Sequence, residues 1–251
     1  MKIEANCLDA HAHVFKRDLP MVEGRRYTPA YDACLKDYIA LLEANHIHGA
    51  LLVQPSFLGT DNSFLVETLD LAKKSSNLVF KAVAVVSPLA TQGELEHLAS
   101  VGVMGIRLNL LGIETQFKID EWVNIFNQAN ALGWHVEVHA RGEALPALLK
   151  SLLSRCATVV VDHFGRPSPE LLTHCPGFKA LLATPSGRVF VKLSAPYRIF
   201  PGAPPSVLGS KCLPMVEQLV EALGPSQLMW GSDWPWTQHE TNHTYADTLE
   251  W

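Results

Sequence analysis

Leu132-Gly133-Trp134-His135-Val136-Glu137-Val138-His139 reads as a helix stopped by a glycine, with a strand beginning directly after it. Glycine takes the left-handed backbone that ends a helix without steric cost, and Leu223-Gly224-Pro225 repeats that signal ahead of Leu228. Working outward from these two points, short apolar or β-branched runs cover residues 7–10, 50–53, 79–86, 103–108, 135–139, 158–162, 189–193 and 228–230. Between most of them lie stretches of helical length with apolar residues three and four apart: Leu35, Ile39 and Leu42, then Leu65, Leu69 and Ala72, then Val216, Leu219, Val220 and Leu223. Strand followed by helix, repeated, requires parallel strands. Their two covered faces explain why the runs are continuous rather than alternating. Eight such units in 251 residues predict an α/β fold of the (β/α)8 TIM-barrel kind, one catalytic domain over residues 1–251, in preference to an open doubly wound sheet. The stretch 199–210, with Pro201, Pro204 and Pro205, is predicted as a rigid loop at the rim that can cover a site. Residues 238–251 are short for a final helix, so the last helix is expected to be incomplete.

Composition sets further bounds. At 48% hydrophobic and 18% charged residues, with a net charge of −5, the chain can bury a large core and carries no basic stripe for nucleic acid and no polybasic membrane anchor. Residues 1–6 hold no apolar run of the signal-peptide type, and no stretch reaches the roughly 18 apolar residues of a membrane span. Cys7, Cys34, Cys156, Cys175 and Cys212 are odd in number and widely spread, which fits free thiols in a reducing compartment. A cytoplasmic location is the expectation; oligomeric state is open.

In a barrel of this kind chemistry sits where strands run into their following loops. The runs end in Asp9, His11 and His13; in Gln54 and Ser56; in Arg107 and Asn109; in His139 and Arg141; in Asp162 and His163; in Lys192, Ser194, Tyr197 and Arg198; and in Ser232 and Asp233. Along a strand, side chains two residues apart share a face, so Asp9, His11 and His13 are predicted to point the same way. Asp233, at the last strand end, is the candidate general base that activates water for attack on an ester or lactone carbonyl. Its alternative role is a helix N-cap before Pro235. His11, His13 and His163 suit polarising that carbonyl or stabilising the oxyanion. Two same-face histidines, a third on a later strand and a carboxylate also make a zinc-type ligand set, and by that chemistry alone zinc is predicted. Arg107 and Arg198, on different strand ends, are candidate bidentate carboxylate binders, so a diacid is expected; Arg141 is a weaker third. Gln54, Ser56, Thr60, Ser194 and Tyr197 add polar donors around the substrate. His174, His239 and His243 are expected on helices or the tail, apart from the chemistry.

The motifs Asp9-Ala-His11-Ala-His13, Val53-Gln54-Pro55-Ser56 with Gly59-Thr60-Asp61-Asn62, Gly105-Ile106-Arg107-Leu108-Asn109, Asp162-His163-Phe164-Gly165, Lys192-Leu193-Ser194 with Pro196-Tyr197-Arg198, and Trp230-Gly231-Ser232-Asp233-Trp234-Pro235 resemble the amidohydrolase superfamily. More narrowly they are similar to its branch of 2-pyrone-4,6-dicarboxylate lactonases and sugar-lactone hydrolases. The resemblance implies an amidohydrolase-like barrel that opens a carboxylated lactone, such as a pyrone dicarboxylate or an aldaric acid lactone. It also implies lactonases that work without a divalent metal. No cofactor is therefore preferred, and if zinc is bound its expected ligands are His11, His13, His139 and Asp233. A zinc-dependent amidohydrolase or decarboxylase, or a lactone isomerase, is the alternative.

Overall fold

Among the described residues, eight parallel strands in sequence order form one sheet that curls on itself. The computed structural model describes residues 7–251; residues 1–6, read above as holding no apolar leader, lie outside the described residues. The strands are β1 (Leu8–Ala12), β2 (Gly49–Val53), β3 (Val79–Ala84), β4 (Val103–Asn109), β5 (His135–His139), β6 (Val159–Val161), β7 (Val189–Ser194) and β8 (Leu228–Gly231). They alternate with α1 (Leu35–Ala44), α2 (Ser63–Ser75), α3 (Gln92–Val101), α4 (Val123–Ala131), α5 (Leu145–Leu153), α6 (Pro176–Leu182), α7 (Pro205–Leu223) and α8 (Tyr245–Thr248). Every predicted strand is present within a few residues of its expected limits, and the predicted (β/α)8 architecture is observed.

The helices lay an apolar stripe over the sheet. Leu42, Leu69, Leu95, Phe126, Leu149, Phe178 and Leu219, one from each of α1 to α7, are buried in one continuous core. Burying each such side chain contributes roughly 1.5–3 kcal/mol. The phase differs from expectation on two helices: α1 buries Tyr38 where Ile39 was favoured, and α7 buries Met215 while Val220 stays 40% exposed. The stretch 199–210 is a loop only as far as Pro204. Pro205 opens α7, because its fixed φ and missing N–H suit the first turn of a helix. At the other end the final helix is α8, a single turn held by a capping box between Thr244 and Asp247.

Closure of the barrel sets the first and last strands side by side. The Asp233 amide donates to the His11 carbonyl and the His13 amide to the Trp234 carbonyl, both at 2.8 Å, and Ala12 bridges Trp234 in parallel. A Cβ on Gly231 would lie 2.8 Å from His11 Cβ, so the seam closes this tightly only with glycine there. In β1 the register against β2 slips between Asp9 and Ala12, the mark of a bulge. That bulge breaks strict alternation. Asp9 accordingly faces outward to the helices instead of sharing a face with the histidines. Its Oδ2 accepts from Tyr38 on α1 (2.8 Å) and Tyr245 on α8 (2.9 Å), and its Oδ1 from the amides of His11 (3.1 Å) and Ser232 (2.9 Å). Asp9 is thus a structural tie across the seam.

Candidate active site

The C-terminal ends of the strands turn sharply. His163, Ala195 and Asp233 all take positive φ, at 53°, 49° and 55°. That conformation costs a non-glycine residue about 1 kcal/mol or more, and it is tolerated where the surrounding structure holds it in place. At β8 the turn aims the Asp233 carboxylate back over the sheet, and Asp233 caps no helix, since α8 begins only at Tyr245.

Asp233 is buried and unevenly partnered. Its Oδ2 accepts from the Tyr197 hydroxyl at 2.5 Å and from Arg198 Nε at 2.9 Å. Its Oδ1 accepts no hydrogen bond and lies 3.5 Å from His11 Nε2 and 3.4 Å from His13 Nε2. Burial would raise this carboxyl, yet the Arg198 guanidinium holds it well below the usual carboxylate range. It is therefore ionised at neutral pH with one oxygen free to accept a proton. The two imidazoles lie edge to face, 4.9 Å between ring centres. His13 Nδ1 donates to the Val53 carbonyl at 2.7 Å, which leaves its Nε2 as an acceptor. His163 Nδ1 pairs with Ser194 Oγ at 2.8 Å. Burial pushes the imidazolium of His163 down to about 3 and those of His11 and His139 well below the ordinary histidine value, so these rings are neutral.

Beneath them lies a closed charge cluster. Arg107 Nη2 and Nε donate to Asp162 Oδ2 at 2.8 and 3.2 Å, and Lys192 makes a short hydrogen bond to Glu137. Lys192 Nζ also lies 3.1 Å from His11 Nδ1. Burial and Asp162 raise the Glu137 carboxyl to about 7 while Lys192 and Arg107 pull it down; above that value the cluster holds two cations against two carboxylates. Lys192 is one of the polar strand-end residues that the sequence marks, without a role of its own, whereas Glu137 carries no such mark; both lie on strands at inward positions.

Above the imidazoles opens a cavity of about 450 Å³. Four arginines line it, Arg26, Arg107, Arg166 and Arg198, and Asp233 is the single carboxylate among its lining residues. Arg26 and Arg166 were missed in the sequence. Arg26 lies in the long loop after β1, where it donates to Asn109 Oδ1 at 3.0 Å, and Arg166 closes the turn after His163. Burial and the adjoining Arg198 lower the Arg166 guanidinium to about 10, and burial with Arg107 and Arg198 lowers that of Arg26. The two expected forks are partly committed within the protein: Arg107 to Asp162, Arg198 to Asp233 and, through Nη2, to Thr237. Ser56 and Tyr197 line the cavity, and Arg141 lines an adjoining recess of about 340 Å³.

Three expected substrate contacts lie elsewhere. Gln54 is buried with its amide donating to the Asp61 carbonyl, Thr60 is exposed outside the cavity wall, and Ser194 sits behind His163. His239, expected apart from the chemistry, lines the cavity and packs on Tyr197 at 4.7 Å, and His243 packs there too.

In distance, His11, His13 and Asp233 are close enough to share one metal ion, as are His11, Asp162 and His163. His139 joins neither group. Its Nδ1 faces Arg107 at 3.5 Å and its Nε2 faces Arg166 at 3.3 Å, so it is an acceptor for a guanidinium rather than the fourth zinc ligand.

Residues 8–251 match the Amidohydrolase family. The chain belongs to that family. It is 32% identical over 244 residues to the 2-pyrone-4,6-dicarboxylate hydrolase of Comamonas testosteroni, covering 93% of this chain and 78% of that one. It is 29% identical over 232 residues to the 4-sulfomuconolactone hydrolase of Hydrogenophaga intermedia, covering 90% and 74%. A solved structure from Acinetobacter baumannii, named a probable 2-pyrone-4,6-dicarboxylic acid hydrolase and holding citric acid, superposes with a TM-score of 0.90 at 34% identity, over 98% of this chain and 90% of that one. The expected amidohydrolase barrel of the lactonase branch is thereby observed at the level of family and fold.

Proposed function

We propose that this enzyme is a lactone hydrolase that opens a small carboxylated lactone, of the pyrone dicarboxylate or aldaric acid kind, within one catalytic domain over residues 1–251. The observation that carries the reading is the cavity's charge: four arginines against one carboxylate, directly above a carboxylate oxygen with no donor. Guanidiniums crowded together are relieved by an anionic ligand, and planar forks suit carboxylates. The lactone-hydrolysing relatives support the same class.

Water bound at Asp233 Oδ1 has a second acceptor in His13 Nε2, so both hydrogens are held and a lone pair faces the lactone carbonyl carbon. Attack forms the C–O bond as the proton passes to Asp233. His11 and His163 lie beside Asp233 as neutral donors for the carbonyl oxygen, which carries the developing charge. When the ring C–O bond breaks, the leaving oxygen takes the proton back from Asp233, and the new carboxylic acid releases the water's second proton to solvent, so the product gains one carboxylate. A dicarboxylate lactone thus becomes a tricarboxylate, and the Acinetobacter relative's structure holds a tricarboxylic acid.

Arg107 and Arg198 position Asp162 and Asp233 as well as facing the substrate, with Arg26, Arg166, Ser56 and Tyr197 as further contacts; Gln54 and Ser194 act only by supporting the wall, and Thr60 has no part in it. Among the described residues no helix is long and apolar enough to cross a membrane. The five free thiols support a reducing, cytoplasmic setting, and the surplus of acidic residues argues against nucleic acid as a partner. Acid release from a panel of neutral, mono- and dicarboxylated lactones tests the proposal. Turnover confined to carboxylated lactones is expected, and turnover of neutral lactones alone contradicts it.

A further inference from the structure

We infer that Lys192 is a positioning residue that holds His11 as its Nε2-protonated tautomer, making this imidazole a hydrogen-bond donor on the side of Asp233 and unfitting it as a zinc ligand.

The argument starts behind the ring. Lys192, fully buried on β7, can only donate when charged, and its Nζ lies 3.1 Å from His11 Nδ1. Its hydrogen bond to Glu137, and Asp162 Oδ1 at 3.8 Å, surround the ammonium with carboxylates. An ammonium donating to Nδ1 requires the lone pair there, so the one hydrogen of a neutral ring sits on Nε2. The competing arrangement has Nδ1–H donating to Asp162 Oδ1, 3.3 Å away. It would press that hydrogen against the ammonium, and Asp162 Oδ1 in fact makes no hydrogen bond.

At the other side of the ring, His11 Nε2 is buried without a partner, 3.5 Å from the equally unpartnered Asp233 Oδ1. An N–H beside a free carboxylate oxygen is a donor–acceptor pair set to hold water or a carbonyl oxygen. A zinc ion between His11, His13 and Asp233 would instead need a lone pair on both Nε2 atoms. His13 offers one and His11 does not. The three atoms fit an ion by distance but not by proton inventory.

The test needs no substrate, so it stands or falls separately from the lactone reading. The full chain, labelled with 15N at histidine, is examined by NMR at pH 8, above the Glu137 value, correlating ring nitrogens with carbon-bound ring protons; a His11→Gln spectrum assigns the signals. The expected result is a protonated Nε2 and a bare Nδ1 at His11, with no stoichiometric zinc retained after dialysis against the metal. The double variant Lys192→Met, Glu137→Gln removes both charges together; its His11 is expected to shift toward the Nδ1–H form and its zinc affinity to rise about tenfold or more. A wild-type His11 protonated at Nδ1, or wild-type protein binding one zinc per chain, overturns the assignment. If the double variant does not fold, the wild-type spectrum and zinc content decide alone.

Discussion

Replacing Asp233 by asparagine isolates the proposed chemical step. Arg198 can only donate, so the amide oxygen takes the Oδ2 position and keeps both Arg198 and the Tyr197 hydroxyl as partners. The NH2 group then occupies the Oδ1 position, 3.4 Å from His13 Nε2, an acceptor it can donate to. The water thereby loses its proton acceptor while the cavity keeps its shape. Loss of a general base lowers turnover by about 10²–10⁴. That is about 3–5 kcal/mol in the barrier. The stability cost is smaller, about 1–2 kcal/mol, because a charge-assisted bond to Arg198 becomes a neutral one. KM is expected to stay within about threefold, since the arginines are untouched and binding does not draw on the base. The assay is ring opening of a dicarboxylated lactone at saturation, followed by proton release, with urea unfolding run in parallel. A folded Asp233→Asn enzyme with turnover within tenfold of wild type would refute the role of Asp233 and the mechanism with it.

Arg166→Ala removes a cavity guanidinium that has no carboxylate partner and should raise KM about 10- to 100-fold with kcat nearly unchanged; an unchanged KM in steady-state kinetics removes Arg166 from the binding site. Asp9→Ala strands two tyrosine hydroxyls and two backbone amides at the barrel seam and should destabilise the fold by about 3 kcal/mol or more in urea unfolding. A loss under 1 kcal/mol would show that the seam does not depend on it. Acid should weaken the fold: His11, His139 and His163 are buried and His135 is nearly so, all with lowered values, so above the unfolded value near 6.5 they cost nothing, whereas below it only the unfolded chain binds their protons. Glu137, raised to about 7, opposes this but is outnumbered, and a drop of roughly 3 kcal/mol or more between pH 7.5 and pH 5 is expected; constant unfolding free energy over that range contradicts the neutral, buried rings.

The barrel was legible because a buried parallel strand has little choice of composition. Continuous apolar runs such as Val159–Val161 mark themselves, and glycines such as Gly133 and Gly224 mark where the preceding helix stops. What failed was whatever depends on register or on the direction of a signal. The bulge in β1 is a property of how β1 lies against β2, and no pattern within residues 8–12 announces it, so strict alternation puts Asp9 on the wrong face. Pro205 reads as a loop residue beside Pro201 and Pro204, although at the first position of a helix the same fixed φ starts one.

The site divides in a similar way. His11, His13, His163 and Asp233 are short side chains at strand ends, so the order of strands in the sheet is enough to gather them. Arg26 and Arg166 are long side chains on loops whose path the sequence does not give, and they come to one cavity only in three dimensions. The forks of Arg107 and Arg198 looked free in the sequence because their partners, Asp162 and Asp233, lie 55 and 35 residues away.

Counting charge by layer narrows the substrate further than counting arginines. Arg107 belongs to the floor, where it and Lys192 balance Glu137 and Asp162. That leaves Arg26, Arg166 and Arg198 against Asp233 among the lining residues, with neutral imidazoles between them. The uncompensated charge is then that of a dianion. A lactone with two carboxylates cancels it on binding, and hydrolysis releases a third carboxylate that the cavity has no cation left to match. The same arrangement that draws the ring in therefore weakens its hold once the ring is open, so the dicarboxylated lactone is favoured over its monocarboxylated analogue as substrate and over its own product as ligand.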